Sequence, residues 1–141
     1  MNENLATVAA IYEEFGKGDI PAILENLSDD VAWESWADNT AQKVDVPWLK
    51  ARNGKNGVLE FFQVVSSFQF KNFQVLSLMA GGNQVAAELV VEAEIPATGG
   101  NFRDEEIHLW TFDENGRVIR FRHYIDTAKH IAAAEGKKTI A

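Results

Sequence analysis

The order of periodicities along the chain predicts an α+β fold in which helices come first and strands follow. Three observations carry it. Residues 4–17 place Leu5, Val8, Ile11, Tyr12 and Phe15 at helical spacing. Val85, Ala87, Leu89, Val91, Ala93 and Ile95 alternate with Gln84, Glu88, Glu92 and Glu94, the period-two pattern of a half-buried strand. Phe102 to Asp126 sets two runs rich in aromatic and β-branched residues either side of Asp113-Glu114-Asn115-Gly116, and Asn-Gly is the strongest short hairpin signal. A strongly curved antiparallel sheet of this kind would wrap the helices into a cone.

Gly16 and Gly18 bracket the end of the first helix, where a left-handed residue commonly closes the last turn. Asp19 then reads as the N-cap of a short helix to Leu27, with Pro21 in its first turn. Ser28-Asp29-Asp30 turns the chain into a strand, Val31 to Trp36. Residues 37–53 show no period and contain Pro47, so they read as a long loop. Its tryptophans, Trp36 beside it and Trp48 within it, suggest a lid or a partner surface. Gly54 to Gly57 opens a third helix carrying Val58, Leu59, Phe61, Phe62 and Val65. Strands are expected from Phe70 to Met79 and from residue 84 onward, and a last short helix capped by Asp126 or Thr127 is ended by Gly136. The whole of residues 1–141 reads as one domain.

Composition bounds the function. A formal charge of −8 argues against binding a phosphate backbone. No apolar run approaches a membrane span, and no basic-then-apolar leader is present, so neither nucleic acid nor membrane is an expected partner. Zero cysteines remove disulfides, thiolate nucleophiles and thiolate metal sites together, which fits a cytoplasmic location.

The candidate chemistry lies on the final hairpin. A two-residue Asn115-Gly116 loop pairs Phe112 with Ile119, Trp110 with Phe121 and His108 with His123. A four-residue loop from Asp113 keeps the same side chains on the same face, and only an odd-length loop flips it, setting Phe112 and Trp110 against Val118 and Arg120. One face then carries Phe112, Trp110, Phe121, Ile119 and Ile125 with two imidazoles among them, the make-up of a pocket wall. Neutral imidazoles offer both a donor and an acceptor, and histidine titrates near neutrality. Tyr12, Trp33 and Trp110 can line a flat apolar ligand. The bland alternative is a pair of core histidines bonded to Ser35, Tyr12 or backbone carbonyls. Glu106, His108 and His123 offer ligand atoms on neighbouring strands, but no metal-type spacing supports them, so no metal is expected. His130, in the last helix, reads as solvated. Ile107, Leu109 and Tyr124 fall on the opposite hairpin face, which a second copy packing sheet to sheet would cover, with Arg120 and Arg122 at the edge.

The Gly18-Asp19 turn, Ser28-Asp29-Asp30-Val31, Gly54 to Gly57, the Asn-Gly hairpin and the ending Arg122-His123-Tyr124-Ile125-Asp126-Thr127 resemble the nuclear transport factor two superfamily, in its SnoaL-like and ketosteroid-isomerase-like branch. The resemblance covers nearly the whole chain and implies the NTF2-like, or cystatin-like, cone. Carried over position by position, it places the isomerases' base carboxylate at Ser35, their carboxylic donor at His108 and their tyrosine near Ile11 and Tyr12. Limonene epoxide hydrolase positions fall on Glu106, His108 and His123, and the acid/base of SnoaL-type polyketide cyclases falls at or near His123. None of these catalytic sets is reproduced. The resemblance implies a cofactor-free isomerase, cyclase, dehydratase or epoxide hydrolase acting on a compact apolar oxygenated molecule. In this reading His123 is the base, His108 the donor, and Ser35 and Tyr12 orient the rings. Trp33, Trp36, Trp48, Trp110 and Phe121 contact the substrate. The other class is a non-catalytic module holding a small apolar ligand or a partner protein.

Overall fold

The computed structural model describes residues 2–140. Asn2 caps helix α1 (Glu3–Lys17) through its side chain, and Gly18, in the left-handed region at φ 72°, closes it. Asp19 accepts the Ala22 N–H and starts α2 (Ile20–Glu25). The sheet consists of β1 (Leu27–Ser35), β2 (Arg52–Asn53), β3 (Gln69–Gly81), β4 (Gln84–Ile95), β5 (Gly100–Phe112) and β6 (Val118–Tyr124). Helix α4 (Gly54–Val65) follows β2, and α5 (Thr127–Ala134) follows β6, capped by Asp126.

Helices α1 and α2 come first and the long strands β3 to β6 follow α4, but the sheet is mixed rather than antiparallel throughout. Its strand order is β2-β1-β6-β5-β4-β3, and β1 runs parallel to β6. The chain leaves β1 into helices instead of a hairpin, so the neighbour of β1 is the last strand of the meander. Nor is the sheet strongly curled: it stays open, with β2 and β3 at its edges. Alternation along a strand specifies which face is buried but carries no information on curvature, which depends on twist and bulges.

Residues 37–53 are not an unstructured loop. They contain α3 (Thr40–Lys43), a 3-10 turn (Pro47–Leu49) and β2. Asn39 caps α3, and Asp38 and Asp45 adopt left-handed φ of 62° and 57° at its two ends. Ala41, Val46, Trp48 and Leu49 are all buried. The segment is a packed wall built from pieces too short to show a period. Similarly, Ser28-Asp29-Asp30 lies inside β1, across an irregularity in its pairing with β6 between Leu27 and Ala32.

The hairpin keeps the expected faces by a route the sequence conceals. Asp113 gathers the turn, its side chain accepting from the Asn115 and Arg117 backbone. The register sets Phe112 against Val118, as an odd-length loop would, and then shifts, so that Trp110 faces Phe121 and His108 faces His123. The bulge ejects Ile119, which is exposed, and Val118 takes its place in the core.

The core lies between the helices and the inward face of β3 to β6 and β1. Every inward residue of β4 from Val85 to Ile95 is buried, whereas β5 reads Phe102, Asp104, Glu106, His108, Trp110 inward, an apolar row with three polar side chains inside it. Helix α5 crosses the start of β5 so closely that a Cβ at Gly100 would stand 2.1 Å from the Ala133 carbonyl oxygen. Gly100→Ala is therefore expected to cost roughly 1–3 kcal/mol, since neither backbone can yield by changing rotamer. A urea midpoint equal to wild type would contradict this close approach.

Candidate active site

The helical spacing of α1 points Tyr12 at the sheet beside Val8 and Ile11, and strand parity points Glu106, His108 and Trp110 back at it. A hydrogen-bonded chain results. The Trp110 indole N–H donates to the Tyr12 hydroxyl at 3.1 Å. The hydroxyl lies 2.7 Å from His108 Nδ1, and His108 Nε2 lies 2.9 Å from Glu106 Oε1. An ionised Glu106 can only accept, so the His108 ring proton sits on Nε2; Nδ1 then accepts from the Tyr12 hydroxyl, whose oxygen accepts from Trp110. Burial pushes the Tyr12 hydroxyl well above its ordinary range, so it is a neutral phenol.

A second chain meets the first at Glu106. His130 Nε2 is 2.9 Å from Asp104 Oδ2 and 3.5 Å from Glu106 Oε2, and Trp48 Nε1 donates to His130 Nδ1 at 2.8 Å. The expectation of a solvated His130 is thus wrong: its ring is buried, because α5 turns that face onto Phe102 and the wall at Trp48. Burial opposes charge on this ring, but Asp104 and Glu106 outweigh it and raise its pKa to about 9, and a second proton on Nδ1 would have to displace the Trp48 donor. Burial pushes the Asp104 carboxyl up to about 6, against the His130 hydrogen bond. For Glu106 burial also works upward, but hydrogen bonds from His108 and His130 hold its carboxyl well below the usual carboxylate range.

His123 stands apart. It is buried, its ring centroid is 6.0 Å from that of His108, and its Nε2 has no hydrogen-bond partner among the described residues. Phe61 meets the ring edge-on and Phe121 lies beside it. Burial, reinforced by the nearby His108, lowers its pKa to about 3. It is a neutral imidazole with an unused nitrogen.

All three rings border one apolar cavity, in which the centre of a water-sized sphere can roam over about 90 Å³. Tyr12, Trp33, Trp48, Trp110 and Phe121 line it. Ser35 and Trp36 do not. Ser35 donates to the Leu49 carbonyl and accepts from Asn39, anchoring the packed wall instead of orienting an imidazole, and Trp36 is 38% exposed. A surface groove along α1 and β3 shares Phe15, Phe62, Val65, Phe68, Phe70 and Phe73 with the lining of the cavity. The sequence assigns Asp104 no role and reads His130 as solvated. Parity with His108 marks Asp104 as inward, but no local pattern announces a contact between α5 and the sheet. Among the described residues, two groups bring potential ligand atoms within 4.8 Å of one another: Glu106, His108 and His123, and Asp104, Glu106 and His130.

Solved structures share this architecture. An NTF2-like protein of unknown function from Burkholderia pseudomallei is 23% identical, with a TM-score of 0.79 over 95% of this chain and 98% of that one. TerC, crystallised with polyporic acid, is 19% identical, with a TM-score of 0.73 over 95% of this chain and 99% of that one. A candidate polyketide cyclase from Xanthomonas campestris is 22% identical, with a TM-score of 0.70 over 93% and 96%. The fold is NTF2-like. No protein of curated function matches the sequence significantly. The SnoaL-like domain profile matches residues 8–121.

Proposed function

Because the chain belongs to the SnoaL-like domain family, we propose that it is a small-molecule enzyme moving protons on a compact, flat, apolar substrate with an oxygen function. The observation that carries this reading is the unpartnered His123 Nε2 in the same apolar cavity as the Tyr12–His108–Glu106 chain.

The geometry favours exchanging the roles expected for the two imidazoles. His108 has a carboxylate behind it to accept its Nε2–H, whereas His123 has none within hydrogen-bonding reach and is a weak base. Tyr12 takes the substrate proton on its oxygen as its own proton passes to His108 Nδ1, and Glu106 holds the imidazolium through Nε2–H. His123, kept neutral, offers a hydrogen bond to the substrate oxygen where charge develops. Returning the proton to a different atom completes an isomerisation or a ring closure without net redox change. Trp33, Trp110 and Phe121 keep water out; Trp33 and Phe121 are stacked at 4.1 Å. The neighbours described as polyketide cyclases and isomerases, and the polyporic acid in TerC, support a flat oxygenated substrate. Self-association through the outer sheet face, where Ile107 is exposed, belongs to the same proposal. A monomer in sedimentation at micromolar concentration would remove that part.

The test is carbon deuteration in D2O, followed by NMR, over a panel of cyclic ketones, β-diketones and hydroxyquinones. Wild type is expected to accelerate exchange in at least one compound, and His108→Asn and Tyr12→Phe to slow it roughly a hundredfold. Wild-type rates in both variants would refute the relay. Tight binding without exchange across the panel would favour a ligand-holding module.

A further inference from the structure

We infer that Glu106, His108 and His123 form a binding site for one divalent first-row cation, Zn2+ fitting best, with a fourth coordination position facing the apolar cavity. This goes beyond the proton-transfer reading and does not depend on it. Two imidazoles and one carboxylate are a donor set that Zn2+ takes in open sites, and the mixed nitrogen and oxygen donors suit Zn2+ over Mg2+ or Ca2+. The three residues place their donor atoms within 4.8 Å of one another, with His108 Nε2 and Glu106 Oε1 already 2.9 Å apart. Zn2+ bonds of about 2.0–2.2 Å require only side-chain adjustment from there. His123, 6% exposed, brings a nitrogen with no other partner, the sign of a missing ligand contact.

The surroundings fit a metal-bound His108. With Nε2 on the cation, Nδ1 carries the proton and donates to the Tyr12 oxygen 2.7 Å away, and the tyrosine hydroxyl rotates to present its hydrogen elsewhere. The neighbouring group of Asp104, Glu106 and His130 fails the same test. Trp48 donates to His130 Nδ1, which fixes the ring proton on Nε2 and leaves that ring no lone pair for a cation. The two superficially equivalent clusters are therefore distinguished by a single indole. Cation and proton relay both require His108 Nε2, so the two occupations exclude each other.

The sequence makes the test clean: three histidines and no cysteine, with all three histidines in this cavity. Tag-free protein, stripped with a chelator, is titrated calorimetrically with Zn2+ and spectroscopically with Co2+ near neutral pH. One equivalent is expected to bind, with visible Co2+ bands of four- or five-coordinate intensity. His123→Gln and Glu106→Gln should weaken binding at least tenfold, and Tyr12→Phe about tenfold through the lost partner of Nδ1. Circular dichroism and a cooperative melt establish that each variant is folded, and His130→Gln, which removes the other cluster but also a 3.5 Å contact to Glu106, should still take up one equivalent, with weakened affinity. The site is refuted if stripped protein takes up no cation, if folded His123→Gln binds as tightly as wild type, or if binding is lost in His130→Gln. Since no substrate enters the experiment, its failure leaves the deuteration result untouched, and the converse holds.

Discussion

Acidification from neutral pH to about pH 4 is expected to cost the wild-type fold roughly 3 kcal/mol more than it costs His123→Gln. His123 has a folded pKa of about 3 against an ordinary value of 6.5. Between those two values the unfolded chain binds a proton that the native chain refuses. Protons therefore favour unfolding throughout that window: the penalty is absent above about pH 6.5, grows as the pH falls, and is complete near pH 3 at roughly 5 kcal/mol. Glutamine keeps much of the shape and cannot titrate. Comparing the two proteins isolates His123, because Asp104 and Glu106 titrate over overlapping ranges with opposite effects. Urea melts at a series of pH values measure it, and parallel slopes for the two proteins would show that His123 is not held neutral by burial.

Removing the carboxylate at Glu106 is the other large effect, because two chains converge on it. Glu106→Ala leaves the His108 Nε2–H without an acceptor and takes one of the two carboxylates from His130 Nε2, inside an apolar core. A stranded polar group costs about 1–3 kcal/mol, so a loss of roughly that size is expected from His108 alone. Glu106→Gln should fall between. Its carbonyl can still accept from His108, but its amide would turn two donors toward the His130 N–H. The expected order of melting temperatures is wild type, then Gln, then Ala. A Gln variant as stable as wild type would mean that the carboxylate is not shared between the two rings.

What the sequence made legible follows range of contact. The alternation of β4 depends on neighbours a few residues away and parity determines it, whereas the pairing of His108 with His123 holds because a bulge offsets the odd-length loop. The hairpin bulge preserved that parity while replacing Ile119 by Val118, a substitution no local pattern records. The pieces within residues 37–53 run to four residues or fewer, shorter than one reliable period. Tyr12 and His108 meet across 96 residues, and Trp48 and His130 across 82. Such contacts are set by how helices lie on the sheet, so the pocket's polar members were visible individually while the circuit joining them was not.

The packing of the four tryptophans has an optical consequence. Trp33, Trp48 and Trp110 border the cavity, whereas Trp36 is 38% exposed. An aqueous quencher such as iodide should extinguish the red-shifted emission of Trp36 first and leave a blue-shifted residue from the other three. A guest in the cavity would perturb only that protected component. The chain thus carries its own label-free occupancy gauge, suited to screening compounds before any reaction is known.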